Sequence, residues 1–289
     1  FEVTVEAPAE PVMLGEKITA TIQAKYYFGS PVTKATVKYK VLRSDYAQDW
    51  YPLAPWDWFY GPGYWWFGYD YPWYPGWREW VGCVRPIAWW WPRGQTPPEV
   101  VAEQEVEIGQ DGRVAVEIDT ALAKAMHGDR DHQYTITAEV RDASRRTIVG
   151  QGKVLVARQP FKVFAWVDRG YYRVGDTIRA SFLVQTLAGK PVPGEGQLTL
   201  FKVTYDPQKQ PVETPIQTWK LNSGEDGRAQ LPLQASEKGQ YLLSYKLTDA
   251  QRHTREGGYL FTVVGAGFDG REFRFNSIEL IPDQREYQP

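Results

Sequence analysis

The chain has 289 residues, with 33 basic and 35 acidic side chains and a formal net charge of −2. This balance gives no electrostatic reason to expect nucleic-acid binding, and no apolar run approaches the ~18 residues of a membrane-spanning helix. The single cysteine, Cys83, excludes an internal disulfide. The length suits two domains of ordinary size.

Short runs that alternate between apolar and polar residues fill the first half of the chain outside residues 46–95, and they predict β-strands. The predicted strands are Glu2–Glu6, Lys17–Lys25, Thr36–Leu42, Val100–Ile108, Val114–Ile118, Gln133–Arg141 and Lys153–Ala157. One short helix is predicted over Thr120–Met126, which contains good helix formers and a threonine able to cap the start.

The second half repeats this pattern of short strands and turns. The predicted strands are Phe161–Val167, Ile178–Gln185, Gln197–Val203, Gln217–Leu221, Ala229–Leu233, Tyr241–Leu247 and Tyr259–Val264. Seven short strands separated by turn signals are typical of a two-sheet antiparallel sandwich, and the chain has no long helical crossovers for a parallel sheet.

Turn residues recur at fixed distances and reveal an internal repeat. Gly15 and Gly29 return 160 positions later as Gly175 and Gly189, and the Asp-Gly-Arg turn at residues 111–113 returns 115 positions later. Tyr134 corresponds to Tyr241 at a distance of 107. The first copy therefore carries 45 extra residues and then eight more. The predicted structural turns lie at Gly15, Gly29, Gly112, Gly175, Gly189 and Gly227.

These observations predict an all-β chain of two tandem seven-stranded antiparallel sandwiches. The first domain spans 1–159 and contains an insertion at 46–95; the second spans 160–265. Residues 266–289 are predicted to be a linker and the start of a following domain, because Asp283 and Tyr287 are spaced like Asp168 and Tyr172. We therefore expect the chain to be a fragment of a longer array.

The insertion at 46–95 holds eleven of the thirteen tryptophans and has no counterpart in the second copy. One interpretation is that its rings pack on each other and on a sandwich, because buried aromatic rings contribute large apolar area. Another is a recognition surface for a protein or glycan, and contact with a membrane interface is a third. The candidate binding residues are Trp56, Trp58, Trp65, Trp66, Trp73 and Trp77.

No catalytic or metal-binding constellation emerges from the remaining residues. His127 and His132 flank Asp129 and Asp131, but no cysteine or further histidine completes a ligand set, so a plain polar connection is preferred to a metal site. Cys83 lies among aromatic residues and is read as a buried thiol rather than a nucleophile. Four aspartates could supply the paired carboxylates of a glycosidase, but we predict no enzyme and no cofactor; they are Asp45, Asp49, Asp57 and Asp70.

The repeat resembles the macroglobulin-like domains of bacterial alpha-2-macroglobulins. The residues that carry the resemblance are Tyr27–Val32 (YFGSPV), Asp168–Asp176 (DRGYYRVGD), Gly189–Val192 (GKPV), the two Asp-Gly-Arg turns and the tail Ile281–Pro289. The resemblance implies stacked macroglobulin or fibronectin-like sandwich domains in a large periplasmic or cell-surface protein that traps proteases after cleavage of a bait segment.

The resemblance does not extend to the reactive thioester of many family members. That bond joins Cys and Gln in a Cys-x-Glu-Gln motif, whereas Cys83 is followed by Val84-Arg85-Pro86. We therefore predict a scaffold domain pair whose partners are neighbouring domains of the same polypeptide and, through the parent protein, target proteases. The alternative is a cell-surface module that binds a glycan or protein through the tryptophan-rich insertion.

Overall fold

The computed structural model describes residues 1–47, 50–53, 57–61, 71, 73–77, 80, 97–169 and 171–274. The chain divides into two compact units: Phe1–Gln48 with Pro92–Pro160, and Asp49–Trp91 with Phe161–Pro289. The sequence assigned the whole insertion to the first domain, whereas the structure groups residues 49–91 with the second unit. The later boundary lies between Pro160 and Phe161, one residue from the division at 159 and 160 given by the repeat.

Short strands dominate both units, and the all-β prediction is confirmed. In chain order the elements begin with β1 (Glu2–Glu6), β2 (Val12–Met13), β3 (Lys17–Lys25), β4 (Ala35–Tyr46), α1 (Asp57–Tyr60), β5 (Glu99–Glu107), β6 (Arg113–Asp119), α2 (Ala121–His127), β7 (Asp131–Asp142) and β8 (Thr147–Ala157). They continue with β9 (Lys162–Val167), β10 (Tyr171–Arg173), β11 (Thr177–Gln185), β12 (Glu195–Tyr205), β13 (Pro211–Lys220), β14 (Arg228–Gln234), β15 (Gly239–Thr248) and β16 (Thr254–Val264).

The two units have the same strand order. In the first, a three-stranded sheet β1-β3-β6 accompanies a five-stranded sheet β2-β8-β7-β4-β5. In the second, β9-β11-β14 accompanies β10-β16-β15-β12-β13. Each strand of the second unit thus corresponds to the strand of the first unit whose number is lower by eight, so that β9 corresponds to β1 and β16 to β8. The internal repeat predicts this correspondence.

The repeat extends to an irregularity in the sheets. The register between β4 and β5 shifts between Val41 and Leu42, and the register between β12 and β13 shifts between Leu200 and Phe201. A β-bulge places one extra residue on one strand and increases the local twist. Because the same irregularity occurs at equivalent positions, the two copies share detailed geometry as well as strand order.

Each unit has eight strands among the described residues, one more than the sequence predicted. The additional strands are β2 and β10, and each pairs in parallel with the last strand of its unit. Both are only two or three residues long, so alternation could not reveal them. They add a parallel pair to sheets that are otherwise antiparallel.

Each sandwich encloses an apolar core supplied by alternate residues of its strands. In the first unit the fully buried side chains include Ile18, Ile22 and Ile136. In the second they include Phe182 and Tyr245, whose ring centroids lie 4.4 Å apart. Burial of such apolar area is the main favourable contribution to folding.

The six glycines predicted at turns all adopt positive φ, between 70° and 104°. At two of them the backbone also passes too close for a side chain. A Cβ at Gly112 would lie 2.6 Å from the carbonyl oxygen of Ala24, and one at Gly227 would lie 2.3 Å from that of Val184. Glycine meets both demands because it has no Cβ.

The predicted short helix corresponds to α2, but Thr120 does not cap it. The Thr120 hydroxyl donates to the carbonyl oxygen of Glu16 at 2.6 Å and accepts from the amide of Gly15 at 2.7 Å. The amide of Ala121 donates instead to the carboxylate of Asp119 at 2.8 Å. The threonine therefore ties the helix start to the turn before β3.

Candidate functional site

The second unit buries apolar side chains on the outer side of its five-stranded sheet. Tyr245 points inward, and alternation along β15 therefore places Leu242 on the opposite side. Leu242 is paired in register with Leu260 of β16, and the two are 2% and 1% exposed. In the first copy the corresponding pair is Thr135 and Lys153, so this outward pair is apolar in the second unit and polar in the first.

Aromatic residues of the insertion lie on this outer side. The Trp80 ring lies over β16, where a Cβ at Gly258 would come within 2.6 Å of the ring atom Cε2. Gly258 is paired with Ser244, which has the same outward orientation as Leu242. Absence of a side chain at Gly258 therefore lets the indole ring approach the backbone of the sheet.

The rings in this part of the insertion also contact one another. Trp77 lies at a ring-centroid distance of 5.3 Å from Tyr71 and 6.1 Å from Trp80. The planes of the first pair are nearly perpendicular, which is a favoured aromatic arrangement. Tyr71, Tyr74, Trp77 and Trp80 are all buried and belong to the apolar core of the second unit.

One hydrogen bond joins the buried rings to strand β13. The Tyr74 hydroxyl donates to Oε1 of Glu213 at 2.7 Å. Burial raises the pKa of Tyr74, and the carboxylate of Glu213 raises it further. The phenol therefore remains a neutral donor at ordinary pH.

Trp73 lies at the edge of the packed rings. Its ring centroid is 5.9 Å from that of Tyr205 and 4.3 Å from the guanidinium carbon of Arg274, a distance typical of a cation–π contact. Residues 265–274, which include the start of the predicted linker, contain no strand. They follow β16 as turns that bring Arg274 to Trp73.

Another ring of the insertion, that of Trp50, packs on the three-stranded sheet of the second unit. The centroid of Trp50 lies 4.4 Å from that of Phe164 and 5.2 Å from that of Trp166, both on β9. Phe164 is paired with Leu183, and both are buried. The equivalent residues of the first copy are Thr4 and Gln23. At this position too, the outward pair is polar in the first unit and apolar in the second.

Four large apolar side chains among the described residues 53–60 are exposed. Leu53, Trp58, Phe59 and Tyr60 are 88%, 76%, 66% and 63% exposed, and α1 contains no buried residue. We call these four residues the aromatic tip. The insertion therefore combines a packed part with an accessible part.

The six tryptophans singled out in the sequence have different environments. Trp77 is buried in the core and Trp73 is partly covered by Arg274, so neither presents an open ring face to a ligand. Trp58 is exposed. Trp56, Trp65 and Trp66 lie outside the described residues, as does Cys83.

The polar candidates of the first unit form a local network. Nε2 of His132 lies 3.2 Å from the carbonyl oxygen of His127, and Nδ1 lies 3.7 Å from Oδ1 of Asp45. Asp45 accepts a hydrogen bond from Arg130 at 2.7 Å. Burial lowers the pKa of His132, which favours a neutral imidazole at pH 7.

This network has no metal-site geometry. Within the described residues, no group of three or more His, Cys, Asp or Glu side chains is arranged to hold a metal ion. Of the four aspartates considered for glycoside chemistry, Asp45 is paired with Arg130, and Asp49 and Asp70 lie outside the described residues. Asp57 belongs to α1 in the second unit.

A family profile described as "Macroglobulin domain MG3" matches residues 1–52. The resemblance to macroglobulin domains is therefore confirmed at the start of the first unit. The match spans β1 to β4, and the second unit repeats the order of these strands. A comparison with curated protein sequences found no match.

Similar solved structures include alpha-2-macroglobulins of two bacteria. Trypsin-activated alpha-2-macroglobulin from Escherichia coli is 11% identical with a TM-score of 0.38, and the alignment covers 93% of this chain and 17% of that one. Salmonella alpha-2-macroglobulin reacted with methylamine is 9% identical with a TM-score of 0.39, at coverages of 90% and 16%. The chain therefore spans about a sixth of the length of these proteins.

The described helices are both short. Neither is long and apolar enough to cross a membrane.

Proposed function

We propose that this chain supplies two scaffold domains of an alpha-2-macroglobulin-like protease inhibitor. The observation that carries the proposal is the match of residues 1–52 to a macroglobulin domain, together with the repetition of the same strand order in the second unit. A sandwich of this kind buries its inward side chains and offers outer surfaces and end loops to its neighbours. The role of the pair is to space and connect domains of the parent protein, and it involves no catalysis.

The chain passes from one unit to the other three times. The polypeptide leaves the first unit after β4, contributes Trp50, Tyr71, Tyr74, Trp77 and Trp80 to the second, and returns to form β5. It then passes to the second unit again after Pro160.

Protease trapping and a periplasmic or cell-surface location are proposed for the parent protein by its resemblance to the family. The Escherichia coli and Salmonella structures include forms described as activated by trypsin, activated by porcine elastase and reacted with methylamine. We propose that target proteases meet the parent protein through segments outside this chain.

The test compares the 289-residue chain with a longer reading frame. A tenfold molar excess of the chain should leave the hydrolysis of a large protein substrate by trypsin and elastase unchanged. A longer polypeptide with further repeats should protect the large substrate while the enzyme still cleaves a small peptide. Inhibition by the chain alone, or a reading frame without further macroglobulin repeats, would overturn the scaffold proposal.

A glycan- or protein-binding module remains the alternative that the sequence allows. Burial of Trp77 and the cover of Arg274 over Trp73 weigh against it, because a stacking platform needs open ring faces. A glycan array distinguishes the two functions. Binding that is lost in Trp58→Ala would favour the module.

A further inference from the structure

His132 is a fully buried histidine near the start of β7, with 0% of its surface exposed. It is paired in register with Asp45 of β4 and Val156 of β8, so it lies between two other strands of the five-stranded sheet. A titratable side chain in such a place gives up its hydration whenever it carries a charge. Burial therefore couples the protonation of His132 to the structure around it.

The imidazole of His132 holds the end of α2. Its Nε2 lies 3.2 Å from the carbonyl oxygen of His127, the last residue of the helix. Because a carbonyl oxygen can only accept a hydrogen bond, Nε2 carries the proton and donates. The amide of Arg130 donates to the same oxygen at 3.2 Å. A carbonyl group at the helix end is thus satisfied both by the following turn and by a side chain of the sheet.

The second copy has neither the helix nor the histidine. Its β14 ends at Gln234 and its β15 begins at Gly239, and residues 235–238 between them contain no helix. The repeat distance of 107 places Gly239 at the position of His132. Because the second sandwich forms with glycine there, the fold does not require a histidine at this position. His132 therefore serves the attachment of α2 rather than the sheet.

The other ring nitrogen of His132 has no hydrogen-bond partner in the part of the chain that the structure describes. Nδ1 lies 3.7 Å from Oδ1 of Asp45, and Asp45 already accepts a hydrogen bond from Arg130 at 2.7 Å. A neutral imidazole tolerates this arrangement at modest cost, because its Nδ1 is only an acceptor. A protonated ring would instead bury a charged N–H group without an acceptor, which costs far more.

The charged groups of β4 and of the turn after α2 do not remove this cost. Asp45 favours the imidazolium, but Arg43 of the same strand opposes it. The Arg43 side chain is 10% exposed and is paired with Glu99 of β5. Arg130 holds Asp45 and also lies 3.7 Å from the carboxylate of Asp129. An imidazolium would therefore compete with an existing ion pair for Asp45.

The remaining neighbours supply no further acceptor. The ring centroid of His127 lies 6.3 Å away, and a charge on that ring would also oppose the imidazolium. On β8 the paired residue is the uncharged Val156. The carboxylate of Asp131, next along β7, accepts from the amide of Arg158 at 2.9 Å. Burial is the largest influence on the pKa of His132 and lowers it, although the hydrogen bond to the carbonyl oxygen of His127 acts in the opposite direction.

We propose that His132 is a pH-sensitive latch, which in its neutral form fastens the end of α2 to the sheet and in mild acid releases it. Uptake of one proton at Nδ1 favours an open state in which the turn at residues 128–131 moves and the imidazolium reaches water. In that open state His132 binds its proton with an ordinary pKa of about 6.5, whereas in the closed state the pKa is lower. The closed state is therefore stable above about pH 6.5 and loses stability as the pH falls below it. The latch lies in the first unit and does not depend on the scaffold role of the chain.

The test measures amide hydrogen exchange of the 289-residue chain at pH 7 and pH 5, with each rate divided by the intrinsic rate at that pH. The amides of α2 should lose about tenfold or more of their protection at pH 5, because the open state binds one more proton than the closed state. His132→Gln keeps a neutral donor for the carbonyl oxygen of His127 and should change by less than about twofold. The matched control is His253→Gln, which alters a half-exposed histidine in the second unit and should respond to acid like wild type.

A second measurement follows the wild-type imidazole and stays informative if His132→Gln does not fold. Nitrogen-15 NMR should show the Nε2–H tautomer at pH 7, and protonated His132 signals should grow between about pH 6.5 and pH 5 while circular dichroism stays unchanged. Four results would overturn the proposal. These are equal protection of α2 at both pH values, protonation of His132 while α2 stays protected, the same acid response in His132→Gln as in wild type, and loss of the whole circular dichroism signal at pH 5. The second result would mean that Asp45 leaves Arg130 and pairs with the imidazolium.

Discussion

Leu242 and Leu260 face each other across β15 and β16 and are almost fully buried, although they lie on the outer side of their sheet. The first copy has Thr135 and Lys153 at the equivalent positions. Apolar residues on both faces of a strand indicate a sheet covered on both sides. The second unit therefore needs residues of the insertion to cover its outer apolar pair. The first unit needs no such cover, because its equivalent pair is polar.

The first prediction concerns the packed rings. Trp80→Ala should destabilise the second unit by about 3–5 kcal/mol, because it removes a large buried side chain and leaves a cavity. The matched change Trp58→Ala removes an exposed ring and should stay within about 0.5 kcal/mol of wild type. Urea unfolding monitored by circular dichroism measures both. Equal effects of the two substitutions would contradict the division of the insertion into packed and exposed parts.

The second prediction concerns the close approach of Trp80 to the sheet. A Cβ at Gly258 would lie 2.6 Å from the ring, so Gly258→Ala should destabilise the chain by about 1–3 kcal/mol through overpacking. In the background of Trp80→Ala the same substitution should cost much less, and the double-mutant cycle measures this coupling. Gly224→Ala is the control, since its Cβ would lie 3.1 Å from the Asp226 side-chain oxygen and 3.8 Å from the nearest backbone atom. Strict additivity of Gly258→Ala and Trp80→Ala would refute the contact.

The third prediction concerns the hydrogen bond between Tyr74 and Glu213. Tyr74→Phe keeps the ring but removes the donor, and we expect a loss of about 1 kcal/mol at pH 7. Because the pKa of Tyr74 is raised in the folded state, its stabilising effect is present below the unfolded value and is lost as pH rises above about 10. Wild type should therefore lose its advantage over Tyr74→Phe in alkaline solution.

The fourth prediction concerns the hairpin between β7 and β8. The Asp142 carboxylate accepts hydrogen bonds from the Ser144 hydroxyl at 2.7 Å and from the Arg146 amide at 3.0 Å. These bonds, led by that from Ser144, lower the pKa of Asp142 to about 2. A carboxylate whose folded pKa is depressed stabilises the fold above its unfolded pKa of about 3.9 and loses this effect as pH falls through the folded value.

The corresponding variant is Asp142→Asn. Its urea midpoint should lie below that of wild type at pH 7, and the difference should shrink between about pH 4 and pH 2. Glu225→Gln, which alters an exposed carboxylate in the second unit, serves as the control. A difference between wild type and Asp142→Asn that stays constant down to pH 2 would contradict the assigned role of this carboxylate.

Much of the fold could be predicted because alternation and turn glycines are local signals. All fourteen predicted strands occur, and the repeat distances align strands that occupy equivalent places in the two units. The parallel strands β2 and β10 were missed because two or three residues show no periodicity. Thr120 was misread because its hydroxyl bonds the distant turn at Gly15 rather than its own helix.

The association of the insertion with the second unit was harder to predict. Comparison of the copies position by position would have revealed it, since Leu242 and Leu260 replace Thr135 and Lys153, and Phe164 and Leu183 replace Thr4 and Gln23. These substitutions predict covered outer faces in the second copy. The partner that covers them is not encoded in any local pattern, because Trp50 and Trp80 are far in sequence from Phe164 and Gly258, which they contact.

Hydrogen exchange tests most directly the claim that the insertion completes the second unit. Residues 50–80 would be replaced by a Gly-Ser link, and amide exchange of β15 and β16 compared with that of the equivalent strands β7 and β8. We predict that β15 and β16 lose protection while β7 and β8 keep theirs, because only the second unit loses the cover of its outer face. Unchanged protection of β15 and β16, or a loss confined to β7 and β8, would contradict the account.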